Sequence, residues 1–224
     1  MSSIIFDIET LGFPLETFDE VQQDYLLKFA DTDEKRTLEL QKFALSALTA
    51  RIIAIGMMNP DTSAGKVYYH SNAKEQFYSD DGLVHYVSGT EEEILTEFWN
   101  AVQRYNRFIT FNGRAFDCPF IIHRSMILGI KPTRNLMPYR YSAETHIDLL
   151  EQLTFYGVSR KYNLDFYCKA FGVKSPKSEG ITGLDLGDLV KAERFRDIAK
   201  YCARDIYATV ELYKKIEEFL KFEA

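Results

Sequence analysis

An α/β layered domain with a mixed sheet is the fold class this sequence predicts. Strand-like apolar runs crowd the first part of the chain, and helical patterns interleaved with a further strand fill the rest, which is the order of a layered α/β domain. The 224 residues suffice to bury a sizeable core and suit one large domain, residues 1–224, better than two small ones. The composition is 46% hydrophobic and 27% charged, that of an ordinary soluble globular chain.

The elements follow in order. Residues 3–8, within "SSIIFDIETLG", are apolar on both faces and read as an interior strand. The stretch at about 13–50 is charged, holds no glycine, and places Leu38, Phe43, Leu45 and Leu48 at helical spacing, so it reads as a mainly helical insertion. "RIIAIGMM" is a second buried strand, "GKVYYHS" a third, and "GLVHYVS" a short fourth. In "TEEEILTEFWNAVQRY" Thr90 and Glu93 form a capping box that opens an amphipathic helix. "RFITFNG" is a strand ended by Asn112-Gly113, and "FDCPFIIHRSMILG" a helix closed by Gly129. "HIDLLEQLTFYG" turns from strand to helix, and "NLDFYCKAFG" is a helix closed by Gly172. "KSPKSEGITGLDLG" is a loop, and from about Leu189 the chain is mostly helix.

The net charge is −6 with a pI near 5.3, which argues against tight non-specific nucleic-acid binding but not against an enzyme whose acids carry cations. Cys118, Cys168 and Cys202 are scattered and form no CxxC pair, so reduced thiols in a cytoplasmic setting are expected rather than disulfides or a zinc site. The N-terminus has no basic start and its apolar run is broken by Asp7, unlike a signal peptide, and no apolar run is long enough to span a bilayer.

Three acidic segments hold the chemistry. Residues two apart in a strand face the same way, so Asp7 and Glu9 project side by side. Carboxylates so close repel unless a cation lies between them, and oxygen-only ligands favour Mg²⁺ or Mn²⁺. "DIET" alone fits equally a solvated strand end, and it also resembles the start of a haloacid-dehalogenase-type phosphatase, although the second acid there is Asp. Asp117, in "FNGRAFDCPF", fits an acid in a first helical turn. Asn112 is placed to hydrogen-bond a sugar or phosphate, and Phe116 to stack on a base. Tyr201 and Asp205, four apart in "YCARD", share a helix face. Lys177 and Arg114 are balanced between phosphate contacts and solvated side chains. Asp148 and Glu151 read as an N-cap and its N3 partner, and His123 and His146 as surface or packing residues.

In order, "FDIET", "FNGRAFDCPF" and "YCARD" resemble the three exonuclease motifs of the DnaQ-like (DEDD) 3′–5′ exonuclease superfamily. The tyrosine indicates its Tyr subclass, and stand-alone exonucleases similar to the family B DNA polymerase proofreading domain are nearest. The resemblance implies a ribonuclease-H-like fold with a mixed five-stranded sheet flanked by helices. It implies that Asp7, Glu9, Asp117 and Asp205 bind two divalent cations, with Asp7 bridging and Asp117 acting largely through metal-bound water. Tyr201 then positions the attacking water, the backbone at Thr10 and Leu11 holds the terminal 3′-hydroxyl, and Leu11 wedges against the last base. The implied partner is a single-stranded 3′ end, DNA favoured over RNA, with no membrane. The implied products are nucleoside monophosphates. A haloacid-dehalogenase-type phosphatase with Asp7 as nucleophile and a non-catalytic nucleic-acid-binding module are the rival readings.

Overall fold

The structure is a computed structural model; it describes residues 2–142 and 144–220, and their side chains apart from those of Ser178 and Glu179. Seven strands form one sheet: β1 (Ser3–Gly12), β2 (Ala50–Met58), β3 (Gly65–His70), β4 (Gln76–Tyr78), β5 (Val84–Gly89), β6 (Arg107–Thr110) and β7 (His146–Asp148). Their order is β4-β5-β3-β2-β1-β6-β7. β1 pairs antiparallel with β2 and parallel with β6, so the sheet is mixed around the strand that bears the first two acids.

Helices cover both faces. They are α1 (Glu20–Leu26), α2 (Asp33–Lys42), α3 (Glu91–Val102), α4 (Asp117–Ile127), α5 (Leu149–Leu153), α6 (Leu164–Phe171), α7 (Leu186–Lys191) and α8 (Phe195–Leu220). The period of two along β1 divides its side chains between two cores. Ile4, Phe6 and Ile8 join the cluster with Phe98 and Trp99 of α3 and Phe120 and Ile121 of α4. Ile5 joins the opposite cluster with Ile198, Cys202 and Ile206 of α8. The capping box at Thr90 and Glu93 is present, and Trp99 Nε1 donates to Ser125 Oγ at 2.8 Å, tying α3 to α4.

The sheet exceeds the expected five strands by two. β3, β2, β1, β6 and β7 make up that five-stranded core, while β5 and the three-residue β4 extend it past β3. β4 is too short to show a period in sequence; cross-strand aromatic pairs hold it, with the rings of Phe77 and Tyr86 stacked at 4.4 Å. β1 runs to Gly12 rather than ending at residue 8, because residues 10–12 still pair with β2 beyond an irregularity at Glu9/Thr10. α7 begins at Leu186, inside the segment read as a loop.

In residues 13–50, neither α1 nor α2 has a buried residue. Phe43 is in the core, but Leu38, Leu45 and Leu48 are exposed, so the helical spacing there marks helix without marking core. Polar capping shapes this arm: Asp19 and Gln22 form a capping box on α1, and Thr32 caps α2. Among the described residues no helix is long and apolar enough to cross a membrane.

Candidate active site

Asp7 and Glu9 share the face of β1 that looks toward α8. One glycine sets how closely the helix approaches. Gly56 of β2 lies opposite Asp7, and a Cβ built there would fall 2.0 Å from Ile206 Cδ1 and 3.0 Å from Cys202 Sγ. With no side chain at 56, α8 settles against the sheet, and Cys202 Sγ lies 3.9 Å from the Asp7 carbonyl oxygen. That contact brings Tyr201 and Asp205, on the same helix, to the carboxylates of β1.

Asp117 arrives from the other side. β1 pairs with β6 only through Ser3–Ile5, so farther along β1 the Ile8 N–H lacks that partner strand. Asp117 Oδ1 accepts it at 3.0 Å, and the carboxylate is buried. The connection that delivers Asp117 is organised by Asp148. Its carboxylate accepts from the N–H groups of Asn112 (3.0 Å) and Arg114 (2.9 Å) as well as from Leu150 and Glu151 at its own helix. Asn112 has φ +63°, a left-handed conformation that asparagine tolerates, and Gly113 sits so close to Thr110 that a Cβ would lie 2.4 Å from its Oγ1.

The four acids disturb one another. Burial, then Asp117, Asp205 and Glu9, hold the Asp7 carboxyl well above its usual range. Burial, then Asp205 and Asp117, raise Glu9, while Arg204 opposes the shift. Burial raises Asp117 to about 7 against the pull of backbone N–H groups, including that of Ile8. Burial raises Asp205 to about 6, moderated by the Tyr201 hydroxyl and the charges of Arg204 and Lys177. Tyr201 is buried and its hydroxyl, pushed upward first by desolvation and then by Glu9 and Asp205, hydrogen-bonds the Asp205 carboxylate. A cluster that resists its own ionisation is what a cation would relieve.

The donor set suits a hard cation. A carboxylate oxygen of Asp7, one of Glu9 and the Cys202 sulfur lie within 4.8 Å of one another. Burial drives the Cys202 thiol upward, and the carboxylate oxygens of Asp7 and Glu9 are the kind of donor Mg²⁺ and Mn²⁺ favour.

The other candidates separate from the acids. Thr10 Oγ1 donates to Ala44 O at 2.7 Å, which fastens the end of β1 to residues 13–50, and Leu11 packs against the α8-side core. The Phe116 ring packs on Phe120 at 5.5 Å, against the α3-side core. Lys177 is exposed on a turn at Pro176–Glu179, near enough to influence Asp205. Arg114 is no solvated lysine-like contact: it is buried, its guanidinium donating to the carbonyls of Pro138 and Tyr139, with Glu151 beside it. Glu151 therefore pairs with arginines, including Arg140 at 2.7 Å, and Asp148 caps α5 alone. His123 is exposed; His146 is buried between Thr110 and Leu136, and desolvation lowers it to about 4. Reading by motif missed Cys202 and Arg204, although both stand inside "YCARD", and it missed the bonds Asp148 makes across the chain.

This mixed sheet, with acids on an interior strand and on the helix across its face, defines a ribonuclease-H-like domain of the exonuclease type found in family B DNA polymerases. Across 97% of this chain the fold matches a quarter (25%) of the family B DNA polymerase from the archaeon Pyrobaculum calidifontis, with a TM-score of 0.61 at 17% identity. Residues 45–221 match the family described as predicted 3′–5′ exonuclease related to the exonuclease domain of PolB, and the chain belongs to that family. It is similar to DNA polymerase 1 of Sulfurisphaera ohwakuensis, 28% identical over 72% of this chain and 19% of the polymerase. It is also similar to DNA polymerase 1 of Saccharolobus solfataricus, 32% identical over 52% of this chain and 15% of the polymerase. The chain thus spans less than a fifth of the length of these relatives.

Proposed function

We propose that this chain is a metal-dependent 3′–5′ exonuclease that hydrolyses the terminal phosphodiester of a single-stranded end, DNA in preference to RNA, and releases nucleoside monophosphates. The convergence of Asp7, Glu9, Asp117 and Asp205 beside Tyr201 carries this reading. The four carboxylates would hold two divalent cations, Mg²⁺ or Mn²⁺. Bound cations would supply an acidified water, charge on the phosphate and a stabilised leaving oxygen.

The chain's own groups do the rest. Tyr201 keeps its proton at neutral pH, so it orients the attacking water by hydrogen bonding rather than by taking a proton. Asp117, anchored to the Ile8 N–H, holds its carboxylate fixed. Leu11 and the backbone at Thr10 receive the last nucleotide, Lys177 meets a phosphate, and Asn112 and Phe116 serve the sugar and base. Residues 1–224 form one domain in which 13–50 is an insertion, and three free buried cysteines suit a reducing, cytoplasmic setting.

Oligomers of DNA and RNA labelled at the 3′ or the 5′ end, incubated with Mn²⁺, test the reading. Early release of labelled monophosphate from 3′-labelled DNA only, abolished in Asp7→Asn, is expected. Wild-type rates in Asp7→Asn would overturn it.

A further inference from the structure

From the end of β1 runs a groove of about 610 Å³, within the range of ligand clefts. Its floor starts at Thr10 and Leu11, immediately after Glu9 in β1. One wall is α2 and the other is the segment 183–191. α2 (Asp33–Lys42) lies before residues 45–221, the part of the chain that matches the family.

The charges in the groove run against those around it. Residues 13–50 hold eight acids and four bases. Yet α2 turns Arg36 and Gln41 into the groove, while Asp33, Glu34 and Glu39 do not line it. Lys191 lines the opposite wall, and among the described residues Glu16 is the single acid in the lining. Lys191 pairs with Asp188 at 3.1 Å, but both side chains are largely exposed, so the pair is weak and the ammonium can be redirected to an anion. Leu184, 80% exposed, offers an apolar ledge at the rim. Two opposed cations, an apolar ledge and a floor that begins one residue past Glu9 fit a chain that is both anionic and apolar.

We propose that this groove carries the strand just upstream of the 3′-terminal nucleotide, with Arg36 and Lys191 on its phosphates. The assignment of polarity rests on the exonuclease reading above; the groove's binding of a single strand can be measured apart from it.

The measurement is fluorescence anisotropy of a labelled single-stranded octamer on the uncleaving Asp7→Asn background, with Mg²⁺, across a salt series. Adding Arg36→Glu with Lys191→Glu should weaken binding about 10-fold or more and reduce the slope of log K on log salt by about 1.4, at about 0.7 per phosphate contact. Adding instead the charge-matched pair Lys28→Glu with Lys35→Glu, off the groove, should leave affinity and slope as in the parent. Parent-like binding in the groove variant, equal losses in both pairs, or no octamer binding overturns the inference. If the groove signature appears while the wild-type chain removes no 3′ nucleotide with Mn²⁺, the groove stands and the exonuclease reading falls.

Discussion

The junction of β1, β2 and α8 and the arm at residues 13–50 are built by opposite means. At the junction Gly56, Cys202 and Ile206 interlock, and the acids stand on a fully packed base. In the arm, α1 and α2 bury nothing, while Val21, Tyr25 and Phe29 are each 79% exposed. Packing fixes the first region and capping and surface charge shape the second. The contrast teaches that position matters most where the carboxylates are held, and that α1 and α2 can change without moving them.

Asp7→Asn probes the first region most severely. Exonuclease turnover should fall by at least about 10³-fold, about 4 kcal/mol of transition-state stabilisation, while the fold persists by circular dichroism. Gly56→Ala attacks the scaffold instead of the chemistry. Its methyl group has no room beside Ile206, so urea denaturation should show a loss of about 2–3 kcal/mol. A stable Gly56→Ala protein would mean that α8 is not seated as described. Tyr201→Phe keeps the ring and removes the hydroxyl that bonds Asp205; kcat should drop about 10- to 100-fold with little change in KM, as expected for lost orientation of the attacking water.

The acids also link stability to pH. Asp117 titrates near 7 and Asp205 near 6 in the folded chain, against an ordinary 3.8. As pH rises from about 4 to about 7 the unfolded chain sheds protons that the folded chain keeps, so stability falls across that window and stays low above it. Melting temperatures in EDTA should therefore decline from about pH 5 to about pH 8, and Mn²⁺ should restore them most at the upper end. A flat profile in EDTA would deny that burial holds these carboxyls protonated in the folded chain. In the arm, Val21→Ser or Tyr25→Ser should shift stability by no more than about 0.5 kcal/mol. A larger loss would erase the contrast between the two regions.

Local signals made much of this legible. Thr90 with Glu93 announced α3, Gly129 and Gly172 closed their helices, and the tyrosine and acid four apart fell on one helix face. The site residues were readable as a set only because three motifs occur in order. What stayed hidden was long-range. That Gly56 admits α8, that β6 stops short of Ile8, and that Asp148 gathers the Asn112–Arg114 turn all depend on pairings between distant segments. In sequence Arg114 is balanced between a phosphate contact and a solvated side chain because nothing in its neighbourhood names Pro138 and Tyr139 as acceptors. Leu38, Leu45 and Leu48 have the spacing of a core face, but spacing cannot reveal that all three are left exposed.

The bond from the Ile8 amide to Asp117 gives the molecule a spectroscopic witness. The proton on that nitrogen feels the charge of one identified carboxylate, so its resonance should move downfield as Asp117 ionises and move again when that carboxylate meets a cation. A single isotope-labelled isoleucine near the start of the chain would then follow the loading of the pocket without any substrate present.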